Sequence, residues 1–199
     1  MRINKAQCHI RSFVPWGQIA FWRRGGRVLS GLLLFLMLLT VSSSAAVSPS
    51  DFRLKGLDGK WFNLKDHLGS EVIYIDFWAT WCVPCRRELP HLQELFQEFR
   101  EKGFLVISIN TDPPANRSKI KPFVRRYHLS FPTLLDPDNR VLDQFNPTRE
   151  LPYGVLIGSD GKVVRVFSGY RSGDEAKLRA EILRLLDAKS SAEDIPKKP

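Results

Sequence analysis

The chain has 199 residues, of which 43% are hydrophobic, enough for one core of ~150 residues but not for two. Its net charge of +9 is concentrated at the N-terminus, because residues 1–46 hold six basic residues and no acidic one, which leaves +3 for the remainder. Such a balance gives no basic stripe for phosphates, so a nucleic-acid partner is not indicated. Three cysteines (Cys8, Cys82 and Cys85) are too few for a disulfide framework.

The N-terminal region has the layout of an export signal. An uncharged segment, residues 28–47, follows Arg23-Arg24 and has an apolar heart of about 14 residues before it gives way to small residues. That heart is short for a bilayer, which needs about 20 residues, but the whole uncharged window reaches that length. Residues 1–46 are therefore predicted to be either a cleaved signal peptide or a membrane anchor. Both place the rest of the chain outside the cytoplasm, because the arginines stay inside.

The first half of the remaining chain alternates between strand and helix patterns. Two short strands are predicted in residues 51–64, around a turn at Asp58-Gly59. The unbroken apolar run at 71–78 is typical of a buried parallel strand. A helix is predicted over 83–102, since apolar residues recur there at helical spacing and Gly103 follows.

The second half continues this alternation and ends in a hairpin and a helix. The pattern predicts a strand at 104–109, a short helix near 120–127, a strand fragment at 133–135, a helical turn at 141–145, hairpin strands at 153–157 and 163–167, and a helix ending near 188. This order predicts an α/β domain over residues 47–188, with a mixed sheet covered on both faces. Residues 189–199 are predicted to be a disordered tail.

Cys82 and Cys85 stand where the buried strand gives way to the helix. A helix N-terminus presents unpaired N–H groups and partial positive charge, which stabilise a thiolate, and Pro84 fits the first turn. Cys82, at the predicted exposed helix end, is the expected nucleophile, and Cys85 is the expected resolving thiol. A structural zinc site needs four ligands, and neither a second cysteine pair nor a closely spaced histidine pair is present. The pair therefore indicates redox chemistry, and no metal is expected.

The run from Asp76 to Cys85, Asp-Phe-Trp-Ala-Thr-Trp-Cys-Val-Pro-Cys, resembles the active site of the thioredoxin fold. With Arg86, Glu88 and Pro90 following, it is more narrowly similar to the exported TlpA/ResA-type thiol-disulfide oxidoreductases. The similarity covers about residues 49–188. It implies a thioredoxin fold, with a central mixed sheet flanked by helices, an N-terminal hairpin and a central insertion.

The same resemblance implies an enzyme that reduces protein disulfides outside the cytoplasm, with the haem-binding cysteines of apocytochrome c among the candidate substrates. Such a reductant needs a transmembrane thiol carrier as electron donor, and no small-molecule cofactor besides its own dithiol. A disulfide oxidase or isomerase, a peroxidase of the related peroxiredoxin group and a copper-carrying metallochaperone remain as alternatives. The oxidase differs in redox potential, and the copper carrier rests on the preference of Cu(I) for thiolates.

The resemblance also assigns roles to single residues. Asp76 is expected to accept the proton of the second cysteine, because burial raises a carboxyl pKa into a useful range. The alternative is a strand residue satisfied by hydrogen bonds. Family members carry a cis-proline before the hairpin, and Pro152 precedes the hairpin whereas Pro132 does not. The predicted substrate-binding residues are Trp81, Val83, Pro84, Leu151 and Pro152. Glu88 is expected in a surface ion pair, and Asp112 receives no role.

Overall fold

The computed structural model describes residue 49 and residues 51–193, which form one seven-stranded sheet with four α-helices. The strands are β1 (Arg53–Gly56), β2 (Trp61–Asn63), β3 (Val72–Trp78), β4 (Phe104–Asn110), β5 (Thr133–Leu135), β6 (Tyr153–Ile157) and β7 (Val163–Ser168). The helices are α1 (Val83–Phe99), α2 (Arg117–Arg126), α3 (Arg140–Phe145) and α4 (Asp174–Glu193). Strand order across the sheet is β2-β1-β5-β4-β3-β6-β7. The predicted α/β class with a mixed sheet is confirmed.

Strand β3 is the centre of the core because both of its faces are buried. Its seven residues are all buried, and successive side chains point to opposite faces. Tyr74 and Trp78 pack in a cluster with residues of α1 and α4, whereas Ile75 and Phe77 pack in a second cluster that includes residues of α3. This two-sided burial explains the unbroken apolar run in the sequence.

Parallel and antiparallel pairing around β3 brings the later parts of the chain to the cysteine region. Strand β4 runs parallel to β3, and β6 runs antiparallel to it. The register places Asp76 opposite Ser108 on one side and opposite Gly154 on the other. Position 154 must be glycine, because a Cβ there would lie 1.9 Å from the Tyr74 hydroxyl oxygen. The Tyr74 ring therefore packs directly against the β6 backbone, with no room for a side chain between them.

The ends of two helices differ from the predicted ones. Helix α1 ends at Phe99 and a 3-10 turn carries the chain to Lys102, before Gly103 adopts φ 88°. Helix α4 continues to Glu193, so the predicted end near 188 is wrong, since neither proline nor glycine interrupts the chain until Pro196.

The predicted signal or anchor, residues 1–46, and its apolar segment, 28–47, lie outside the described residues, as do residues 194–199 of the predicted tail. No helix in the described part of the chain has the length and apolar character needed to span a bilayer.

Candidate active site

Cys82 and Cys85 form a disulfide at the first turn of α1, with an S–S distance of 2.02 Å and Cα atoms 5.3 Å apart. Cys82 is the N-cap residue, and its Sγ accepts a hydrogen bond from the backbone N–H of Cys85 at 3.2 Å. Pro84 lies in the first turn, where its missing N–H costs no intrahelical bond. The sulfur of Cys82 thus takes the place of a capping oxygen, at the positive end of the helix.

The surface beside the disulfide is apolar and open, but the disulfide itself is largely covered. Cys82 is 4% exposed and Cys85 is fully buried, whereas Trp81 is 61% and Val83 is 48% exposed. The sequence predicted an exposed Cys82, and for the oxidised protein this is wrong. Cys82 belongs to the buried core cluster that also includes Trp78 and Ala79. Only 4% of Cys82 is therefore accessible to an attacking thiol, whereas its chain neighbours Trp81 and Val83 are exposed.

Asp76 is a buried carboxyl group that has no hydrogen-bond partner among the described residues. It is 1% exposed, and neither of its side-chain oxygens is bonded within the described part of the protein. Burial raises the pKa of Asp76 well above its usual range, and the charge of Glu88 raises it further. Among the described residues, Asp76 lacks the hydrogen bonds that the alternative of a satisfied strand residue requires.

Glu88 is a second buried acid in the same region, and its expected place in a surface ion pair is wrong. It is 7% exposed, and its Oε1 accepts a hydrogen bond from the Tyr74 hydroxyl at 3.1 Å. Burial raises the pKa of Glu88 to about 7, although the hydrogen bond from Tyr74 opposes the rise. Position 88 lies three residues after Cys85 on the buried side of α1, which is the reason for its burial.

Asp112 fixes the loop that leads into the cysteines, a contact that the sequence analysis missed. Its carboxylate accepts hydrogen bonds from the Thr80 backbone N–H at 2.7 Å and from the Thr80 hydroxyl at 2.8 Å. The side-chain amides of Asn110 and Asn116 donate to the same carboxylate. The polar run Asn110-Thr111-Asp112 at the end of an apolar strand was the available signal, because such residues often bond to nearby backbone groups.

Residues 151 and 152 lie next to the strand that carries Asp76. The Leu151-Pro152 bond is cis, as the family resemblance and the chain order together predicted, and it is the only cis peptide among the described residues. Tyr153 pairs with Phe77 across β6 and β3, so Pro152 precedes this pair at the edge where β3 leads toward the cysteines. The Pro152 carbonyl accepts a hydrogen bond from the Gly169 N–H at 2.9 Å, which holds this segment to the residue after β7.

Two further side chains have structural partners. Trp78 is fully buried, and its indole N–H donates to the Ser108 hydroxyl. His67 contacts Glu71 at 2.7 Å, and in the described ranges no group of three or more His, Cys, Asp or Glu side chains is placed to hold a metal ion.

Comparison with known proteins places these features in a family. The profile of the AhpC/TSA family matches residues 47–181. A protein named thiol-disulfide oxidoreductase ResA from Halalkalibacterium halodurans is 36% identical over 119 residues, which cover 60% of this chain and 65% of that protein, less than two thirds of its length. The protein of the same name from Geobacillus thermodenitrificans is 30% identical over 156 residues, 77% of this chain and 87% of that one.

A solved structure gives the same result for the fold. A Chlorobium tepidum protein, provisionally described as a thiol:disulfide interchange protein DsbE, aligns with a TM-score of 0.64 and 32% identity, over 71% of this chain and 96% of that chain. The sheet, its flanking helices and the cysteine pair define a thiol-disulfide oxidoreductase of the thioredoxin superfamily. The chain belongs to the AhpC/TSA family and is similar within it to ResA-type proteins.

Proposed function

We propose that this chain is an extracytoplasmic enzyme that reduces disulfide bonds in other proteins through Cys82 and Cys85. The observation that carries the proposal is the disulfide at the first turn of α1, with the exposed side chains of Trp81 and Val83 on either side of Cys82. A helix N-terminus stabilises the thiolate that thiol-disulfide exchange requires. Exposed apolar side chains next to it offer a surface on which a substrate segment can pack.

The proposed reaction begins from the reduced protein. The Cys82 thiolate attacks one sulfur of a substrate disulfide, which forms a mixed disulfide and releases the other substrate sulfur as a thiolate. The Cys85 thiolate then attacks the Cys82 sulfur, which releases the second substrate thiol and closes the Cys82–Cys85 disulfide. Two electrons pass from the enzyme dithiol to the substrate. No cofactor beyond the dithiol enters this balance.

Asp76 and Glu88 are proposed to take up the proton that Cys85 loses. Cys85 is fully buried, so its thiol needs an internal acceptor during the second step. The pKa of Asp76 is raised well above its usual range by burial, and burial raises the pKa of Glu88 to about 7. Carboxylates with raised pKa values are stronger bases than exposed ones, and therefore suit a thiol as proton donor near neutral pH.

The position in the cell and the partners are part of the proposal. Residues 1–46 are proposed to act as signal peptide or membrane anchor. Residues 47–193, which include all of helix α4, are proposed as the domain outside the cytoplasm, and residues 194–199 as a tail. Regeneration of the dithiol then requires an electron donor that crosses the membrane, a thiol carrier. Leu151, Pro152, Trp81, Val83 and Pro84 are proposed to contact the substrate chain. Apocytochrome c, with its pair of haem-binding cysteines, is the proposed substrate class.

The redox potential of the full-length protein tests the direction of electron flow. We expect a potential well below about −200 mV in glutathione or dithiothreitol buffers, since a value near about −120 mV is typical of a strong oxidant. The Cys85→Ser variant should accumulate a mixed disulfide with a model substrate, and the matched Cys82→Ser variant should not. A potential near about −120 mV would contradict the proposed reductase function and favour a disulfide oxidase. Equal trapping by both variants would contradict the assignment of Cys82 as nucleophile.

A further inference from the structure

A cavity of about 620 Å³ lies beside the β1–β2 turn and shares no residue with the dithiol region. Its walls are the turn between β1 and β2, the second half of α2 and residues 130–134, which lead into β5. The dithiol follows β3, which is separated from β1 by β4 and β5 in the sheet. The volume falls in the range of about 300–1,000 Å³ that small-molecule sites occupy.

The charged residues around this cavity are mostly basic, and the structure shows no ion pair for them within residues 51–193. Lys60, Lys121 and Arg125 line it, and within the part of the chain that the structure describes none of their side chains is bonded to a carboxylate. The one acidic lining residue, Asp58, accepts a hydrogen bond from the Lys60 backbone N–H at 3.0 Å. Helix α2 contains no acidic residue that would neutralise its lysines and arginines. An anion entering the cavity meets a net positive charge, because three basic side chains and one carboxylate line it.

The interior of the cavity is mostly apolar, and one of its polar groups has no hydrogen-bond partner in the part of the chain that the structure describes. Leu57, Val124 and Phe131 line it, and all three pack against or within the core cluster. Trp61 also lines the cavity, and 59% of its surface is exposed. The Arg53 guanidinium carbon lies 4.6 Å from the centroid of the Trp61 ring. Thr133 also lines the cavity, and its hydroxyl is buried without a hydrogen-bond partner among the described residues. A buried hydroxyl in this state is unfavourable until an acceptor bonds to it.

We propose that this cavity binds a small organic anion, a carboxylate carried on a flat apolar body of about two fused rings. Lys121 and Arg125 hold the carboxylate, since both come from successive turns of one helix face and Arg presents a planar pair of donors. The apolar body packs between Trp61 and Phe131. An inorganic anion would leave the apolar walls uncovered, and a neutral ligand would leave the cations unpaired. The cavity and the dithiol share no lining residue, so ligand binding does not require either cysteine.

Calorimetry on the full-length chain, in a nonionic detergent with a detergent blank, tests this proposal with two probes of the same shape. We expect 2-naphthoate to bind at least tenfold more tightly than neutral 2-naphthamide. The double variant Lys121→Ala/Arg125→Ala should weaken naphthoate binding at least tenfold. The matched control Arg126→Ala removes a neighbouring charge outside the cavity and should change it less than twofold. Equal affinities for the two probes, an equal loss in Arg126→Ala, or no binding to the unaltered chain would overturn the proposal.

The location of the bound probe is tested separately. In amide NMR spectra of the unaltered protein, naphthoate should shift resonances of residues 56–62, 121–125 and 130–134. The double variant should give the spectrum of a folded protein, and naphthoate should not shift its resonances. The Cys82→Ser/Cys85→Ser variant should bind naphthoate with less than a twofold change. Shifts centred on residues 81–85, or loss of binding in the cysteine variant, would move the site to the dithiol and contradict the inference.

Discussion

Replacement of Glu88 by glutamine should remove a large part of the pH dependence of stability. Burial raises the pKa of Glu88 from its ordinary value of 4.5 to about 7. Because the folded value is the higher one, the associated stability is fully present below about pH 4.5 and is lost as the pH rises to about 7. At 1.36 kcal/mol for each tenfold change, the loss amounts to about 3 kcal/mol. Glutamine cannot ionise, yet it keeps an oxygen for the Tyr74 hydroxyl.

Urea unfolding of the oxidised protein at pH 4 and pH 8 measures this effect. The free energy of unfolding of the Glu88→Gln variant minus that of the unaltered protein should rise by about 3 kcal/mol from pH 4 to pH 8. Any destabilisation by the amide group that does not depend on pH cancels in this comparison. The control Glu101→Gln alters an 82% exposed side chain and should show no such gain. Parallel pH profiles for Glu88→Gln and the unaltered protein would show that Glu88 ionises normally in the folded state, and would refute the reasoning.

Two further substitutions test the packing around the site. Asp112→Ala removes the acceptor for the backbone and hydroxyl of Thr80, so the free energy of unfolding should fall by about 3 kcal/mol in urea titrations, and the rate of substrate reduction should fall with it. An unchanged rate would separate this loop from the chemistry. Gly154→Ala places a methyl group 1.9 Å from the Tyr74 hydroxyl oxygen, so it should cost about 3 kcal/mol or more, measured as a lower melting temperature. A melting temperature equal to that of the unaltered protein would mean that β6 and Tyr74 separate easily.

The elements around the dithiol were predictable because their signals are local. Strand β3 could be predicted from its apolar run without knowledge of the strands that pair with it. Both of its faces are buried, so its sequence is apolar throughout and does not alternate between apolar and polar residues. Helix α1 begins at Val83, where a proline in the first turn and the following apolar spacing predict it. The choice of Pro152 over Pro132 combined the cis-proline that the family resemblance implies with chain order, because only Pro152 precedes the hairpin.

The parts that were missed depend on contacts between distant segments. Sequence spacing shows which residues of α1 share a face, but the burial of Glu88 depends on Tyr74, which lies 14 residues earlier on β3. The bonds from Asp112 to Thr80 span 32 residues, and they arise because β3 and β4 are parallel and end side by side. The low exposure of Cys82 follows from the disulfide and its packing in the core cluster. None of these contacts has a periodic signature.

The bonds between Asp112 and Thr80 have a consequence for how partners are recognised. The loop before the cysteines is already held by a buried carboxylate. Its backbone therefore has little conformational entropy left to lose when another protein docks. A small contact area around Trp81 can then suffice for transient binding, because none of its favourable free energy has to offset the ordering of this loop. The proposed reductase would release each partner after one exchange of two electrons, and a surface that is already rigid before docking suits such brief contacts.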